Sequence, residues 1–99
     1  MDEVVSVNGV PIRLTHERWF HIAENHDDLA GYYEEVLDAV ERPDFVLRGH
    51  RGSLVAVKNL GSRRYLHVIY RELSDEDGFV ITAFFATKSQ RKKAIWKEK

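Results

Sequence analysis

The hydrophobic period of this chain changes from 3.6 to 2 at Pro43. Before it, Trp19, Ile22, Ala23, His26 and Leu29 follow one helical stripe, and Tyr33, Val36, Leu37 and Val40 follow a second. After it, apolar residues alternate at a period of two in four runs: Phe45–Arg48, Ser53–Leu60, Arg63–Glu72 and Phe79–Ala86. Proline pushes Arg42 out of the helical region, so the second helix must stop there. Thr15 is a suitable N-cap for a first helix opening at His16, with Glu17 in its first turn. Asp27-Asp28 either continues that helix or caps the second. Glu34, Glu35, Asp38 and Glu41 fall on the wet side of the second helix.

Short reversals separate the strands: Gly49–Gly52, Gly61-Ser62 and Ser74–Gly78. Ahead of the helices, Val4–Val7 and Val10–Leu14 flank Asn8-Gly9, the signal of a type I′ hairpin, with Pro11 favouring a sheet edge. Residues 87–99 form a basic stretch, a short helix or a tail, ending on Trp96. The order predicts one α+β domain spanning 1–99: a hairpin and two helices packed on a four-stranded antiparallel sheet. A length of 99 residues leaves no room for a second core, and folding buries about 65% of the unfolded surface.

With 43% hydrophobic and 31% charged residues, the chain is not disordered or of low complexity. No apolar run is long enough to span a membrane, and MDEVVSVNGV lacks the features of a signal peptide. Without cysteine there is no disulfide, thiolate metal site or Cys nucleophile. These features lead to the expectation of a cytoplasmic protein.

The net charge of −1 conceals a division. Residues 1–45 hold eleven acids against Arg13, Arg18 and Arg42, and residues 46–99 hold twelve bases against five acids. Between 46 and 71 there are six bases (Arg48, Arg51, Lys58, Arg63, Arg64 and Arg71) and no acid. Either the halves neutralise each other inside the fold, or the second half presents an electrostatic face to an anion.

Five histidines supply acid–base chemistry, three of them on helix 1: His16, His21 and His26. His21 and His26 stand about 140° apart around the helix and cannot share one metal ion. Glu17 and His21 make a better pair, but no third ligand is in view, so neither metal nor cofactor is expected. His26 is either a core histidine satisfied by a carbonyl or a functional group beside the sheet. Strand alternation puts Tyr65, His67, Ile69 and Arg71 on one face of the third run and Arg64, Leu66, Val68 and Tyr70 on the other, and lets one sheet face present Lys58, an arginine, a tyrosine and Thr82 to a ligand. Cations with a His or Tyr suit a phosphodiester. Arg91-Lys92-Lys93 is either a phosphate contact or a solubilising tail. There is no glycine-rich phosphate loop, nucleophile elbow or aromatic RNA-binding motif.

The run from Arg13 to Ile22, RLTHERWFHI, followed by His26, resembles the "RLTxERWxHIxxxHPEL" opening of small prokaryotic and phage proteins. Arg42-Pro43-Asp44 matches their "xxPD", and Tyr65–Glu72 with Asp77–Phe84 matches their "YLxVVYRExxxxDGFIITAF". Those proteins are similar to the barnase–EndoU–colicin–RelE (BECR) class of metal-independent ribonucleases. The resemblance covers nearly the whole chain. It implies RelE-like helices on a four-stranded antiparallel sheet and endoribonuclease activity, in many cases as a toxin paired with an antitoxin protein. It places the histidine on His26, with His21 competing, the cation on Lys58 or Arg71, and the strand threonine on Thr82. RNA contacts would fall to Arg48, Arg64, Tyr70, Lys88, Arg91, Lys92 and Lys93. Asp27 replaces the family's proline, and His67 stands where an apolar residue belongs. The alternatives are a non-catalytic RNA- or protein-binding module that uses the basic sheet face, and a homo-oligomer in which acidic and basic halves of two copies dock.

Overall fold

Asn8-Gly9 reverses the chain, but not in the expected turn. In the computed structural model, which describes residues 2–98, the loop closes from Gly9 N–H to the Ser6 carbonyl at 2.9 Å. Only Gly9 in this loop takes a positive φ, 81°, whereas a type I′ turn needs it at both central residues. The flanking strands are β1 (Asp2–Val5) and β2 (Pro11–Leu14). Helix α1 (His16–Asn25) starts as expected, with Thr15 Oγ1 accepting from Arg18 N–H at 3.0 Å. It stops at His26; Asp27–Leu29 is a single 3-10 turn, and α2 (Tyr33–Glu41) follows.

After Pro43 come β3 (Phe45–Arg48), β4 (Leu54–Asn59), β5 (Tyr65–Ser74) and β6 (Asp77–Ala86), an antiparallel meander. Both central residues of the β4–β5 turn, Ser62 and Arg63, have positive φ (53° and 62°). The C-terminal stretch is neither helix nor tail: a 3-10 turn at Arg91–Lys93 leads into β7 (Trp96–Lys97).

The expected four-stranded antiparallel sheet is overturned. The sheet has seven strands in the order β1-β2-β6-β5-β4-β3-β7, is mixed, and curls like half a barrel. Strand β2 joins β6 in parallel, Arg13 opposite Phe79, and β7 joins β3. The reason is edge satisfaction. A meander of four strands leaves two rows of unpaired backbone groups, and here both rows recruit a terminal segment. The hairpin is further tied down by Glu72, which accepts from Ser6 Oγ at 2.6 Å and Asn8 Nδ2 at 3.0 Å.

Both helices lie on one face of the sheet. Ile22, Leu29, Val36 and Val40 pack there against Ala56, Leu66, Val68, Tyr70, Val80 and Ala83. Each such Leu, Ile or Val contributes about 1.5–3 kcal/mol by leaving water. On the opposite face Phe45, Leu47, Val55 and Val57 form a smaller cluster with Tyr65, Ile69 and Ala94.

Gly78 sits where β2 approaches β6. A Cβ there would lie 2.5 Å from Ile12 Cδ1 and 2.6 Å from the Arg71 carbonyl oxygen. Gly78→Ala should therefore destabilise the protein by about 1–3 kcal/mol in urea unfolding. A midpoint equal to wild type would show that the β2–β6 contact yields freely.

Candidate functional site

A single irregularity decides which side chains reach the open face. In the β5–β6 ladder Ile69 faces Thr82 and Tyr70 faces Val80, so Ile81 is an extra residue. Beyond this bulge the alternation of β6 is offset. Val80, Ala83 and Phe85 join the helix-side core, while Ile81 and Phe84 turn to the other face. There they meet Leu47, Val55, Ile69 and Ala86 as the apolar floor of a groove of about 590 Å³.

Charged side chains rim this floor. Arg48, Arg51, Arg71 and Lys88 line the groove together with His50 and His67. Among the described residues no carboxylate lines the groove, and none of the four permanent cations makes an ion pair. Four like charges around an apolar, partly desolvated surface repel one another, and an anion in their midst removes that cost.

The loop between β3 and β4 sets two of these groups. Gly49 N–H donates to the Ser53 carbonyl (2.9 Å), and buried Ser53 returns its N–H and Oγ–H to the His50 carbonyl (3.0 and 2.8 Å). The loop is closed so tightly that a Cβ at position 49 would strike Ser53 Oγ. Its apex, Arg51, is held in the left-handed region at φ 53°, ψ 42°. A non-glycine residue there costs about 1 kcal/mol.

His67 is the buried member of the set, 8% exposed. Its ring stacks on Phe84, with centroids 5.0 Å apart and planes at 17°. Nδ1 lies 3.0 Å from the Tyr65 carbonyl oxygen. A carbonyl only accepts, so Nδ1 carries the proton in the neutral ring and Nε2 keeps its lone pair.

The residues expected from sequence do not assemble. His21 lies on α1 and His26 is its C-cap, on the helix side, with the sheet between them and the groove; His21 lines a separate small depression with Glu17 and Arg18. Lys58 shares the helix-facing side of β4 with Ala56, and its Nζ donates to the Arg42 carbonyl at 2.6 Å with Asp38 3.9 Å away. It therefore closes the C-terminus of α2 and does not face the open side. Tyr70 is fully buried beneath the helices and cannot touch RNA. Its hydroxyl has no hydrogen-bond partner among the described residues, and burial, then Glu72, pushes its pKa up. Arg64 stacks on Tyr32 and Phe85, 5.0 and 4.5 Å from their centroids, also on the helix side. Arg48, Arg71 and Lys88 do meet in the groove, and Thr82 stands opposite Ile69, which is part of its floor. The sequence does not mark His50, Arg51 or Ser53 as site residues, and it marks His67 only as a histidine where an apolar residue belongs. Its signal was a histidine at a strand position whose neighbours on the same face are Tyr65 and Ile69.

The acidic half gathers elsewhere. Asp2, Glu3, Glu34, Glu35, Asp38 and Glu41 line a depression between β1 and α2, where Arg42 is their one base. Asp38 holds Arg42 at 2.6 Å and raises its pKa. Partial burial and a 2.5 Å hydrogen bond to Asp2 push the Tyr33 hydroxyl up to about 12. An acidic depression thus lies between β1 and α2, and a cluster of bases rims the groove on the open face. No family model matches the chain, and neither does any curated protein or solved structure.

Two substitutions check this geometry. Tyr70→Phe removes a hydroxyl with no protein partner, so stability should hold or rise by up to about 1 kcal/mol; a loss above 1 kcal/mol in urea would reveal a buried water bound there. Arg51→Gly relieves the left-handed strain and removes a rim charge. Its stability should stay within about 1 kcal/mol of wild type while calorimetric affinity for pyrophosphate falls. Unchanged affinity would take Arg51 out of the groove's electrostatics.

Proposed function

We propose that the chain is an endoribonuclease working in the open-face groove without a metal ion. The observation that carries this is a carboxylate-free groove in which four unpaired cations surround a buried histidine with a committed tautomer. Nε2 of His67 takes the proton of an RNA 2′-hydroxyl, whose oxygen attacks the adjacent phosphorus. The 5′-oxygen of the next nucleotide leaves, with a proton supplied by the His50 imidazolium, giving a 2′,3′-cyclic phosphate and a 5′-hydroxyl. Arg48, Arg51, Arg71 and Lys88 stabilise the charge that builds on the phosphorane oxygens. The resemblance to metal-independent ribonucleases supports the same chemistry. A toxin role, an antitoxin partner and a cytoplasmic location belong to this proposal. The structure adds only that no helix among the described residues is long and apolar enough to cross a membrane.

Incubating the protein with total RNA in excess EDTA, followed by 3′-end analysis, tests the proposal. Cyclic phosphate ends are expected, and His67→Gln should lower turnover by about 10²-fold or more while circular dichroism stays native. A larger loss in His26→Ala than in His67→Gln would return the base to α1. RNA that is bound but intact would leave a non-catalytic binding module.

A further inference from the structure

The basic C-terminal residues are not a loose tail. From the end of β6 the chain crosses the open face and returns to the free edge of β3, where Ile95 N–H donates to the Val46 carbonyl at 2.8 Å. On the way Ala94 packs on the Phe45–Leu47–Val55–Val57 cluster, and the Arg91 guanidinium lies 5.7 Å from the Phe45 ring centroid. Residues 87–95 are therefore a fixed strap. The strap forms a second depression of about 520 Å³, lined by Ser89, Gln90, Arg91, Lys92 and Lys93. Gln90 also lines the first groove, so the two are contiguous. Lys92 and Lys93 are exposed and make no ion pair with a described residue.

The two depressions differ in kind. The first has an apolar floor with Ile81 and Phe84; the second is bounded by three consecutive bases. A flat apolar group with an anionic neighbour fits the first, and a run of anions fits the second. In a duplex the base faces are covered by their neighbours, and such a floor has nothing to receive; in a single strand they are free. We infer that groove and strap bind one continuous single strand of RNA, a base on the Ile81–Phe84 floor and the following phosphates on Lys92 and Lys93. This rests on the ribonuclease proposal for the ligand class, but concerns binding alone.

Fluorescence anisotropy with 2′-O-methyl oligonucleotides, which cannot undergo 2′-hydroxyl attack, tests it. A single-stranded 8-mer should bind at least about tenfold tighter than a dinucleotide and than an 8-base-pair duplex. In the Lys92→Gln, Lys93→Gln double variant the slope of log affinity against log salt should shrink by about 1.4, at about 0.7 per lost phosphate contact on a single strand. The 8-mer's advantage should shrink with it. A double variant with wild-type slope and length advantage would remove the strap from the site. Equal affinity for the duplex would overturn the single-strand assignment. If no oligonucleotide binds, the ribonuclease proposal falls with this one, whereas length-independent binding overturns the strap alone.

Discussion

Backbone pairing puts Tyr70 opposite Val80 and Ile69 opposite Thr82, leaving Ile81 between them without a partner. Everything else about the two faces follows from that one unpaired residue. Side chains on a strand alternate strictly, so a regular β6 would place Val80 and Ala83 on opposite faces. The bulge brings both under the helices, where they close the core, and turns Ile81 and Phe84 outward together. Bulges also deepen local twist, and the seven-stranded sheet is curled like half a barrel.

The groove changes what the cations on its rim are worth. A guanidinium on a flat, wet surface interacts weakly beyond a Debye length of about 8 Å. Over an apolar floor the same charge is screened less, and several of one sign focus their field. On the helix side Asp38 engages Arg42 and Lys58, and Asp2 accepts from Tyr33. Arg13 and Asp77 pair at the β2–β6 junction. The net charge of −1 therefore conceals an acidic depression beside α2 and a cluster of bases around the groove.

The helices, the Thr15 cap, the stop at Pro43 and the four middle strands were legible because each depends on residues near in sequence. The seven-stranded sheet was not. Pairing of β2 with β6 and of β7 with β3 joins residues fifty or more positions apart, and short strands such as Trp96–Lys97 carry no period to read. The site was half legible. The acid-free stretch pointed at Arg48 and Arg71, but Lys58 and Tyr70 were lost through face assignment. Alternation alone gives two sets of residues per strand and does not say which set meets the helices. In β5 the choice fell against Tyr70 and for His67, because Leu66 and Val68 accompany the tyrosine.

His67 and Arg51 show why the groove is more than leftover surface. Stability alone would replace a nearly buried imidazole at a strand centre with an apolar side chain, since polar groups gain nothing there beyond one hydrogen bond. It would likewise place glycine at φ 53° in a closed loop. Both positions keep a cationic or titratable residue at a local cost of the order of 1 kcal/mol each, and both line the same groove. Arg48, Arg71 and Lys88 add mutual repulsion to that cost. An anion in the groove offsets these costs: it relieves the repulsion among the cations and accepts hydrogen bonds from Arg51. The strained loop and the unpaired charges are then parts of one preorganised site, held ready by a sheet whose own stability comes from the other face.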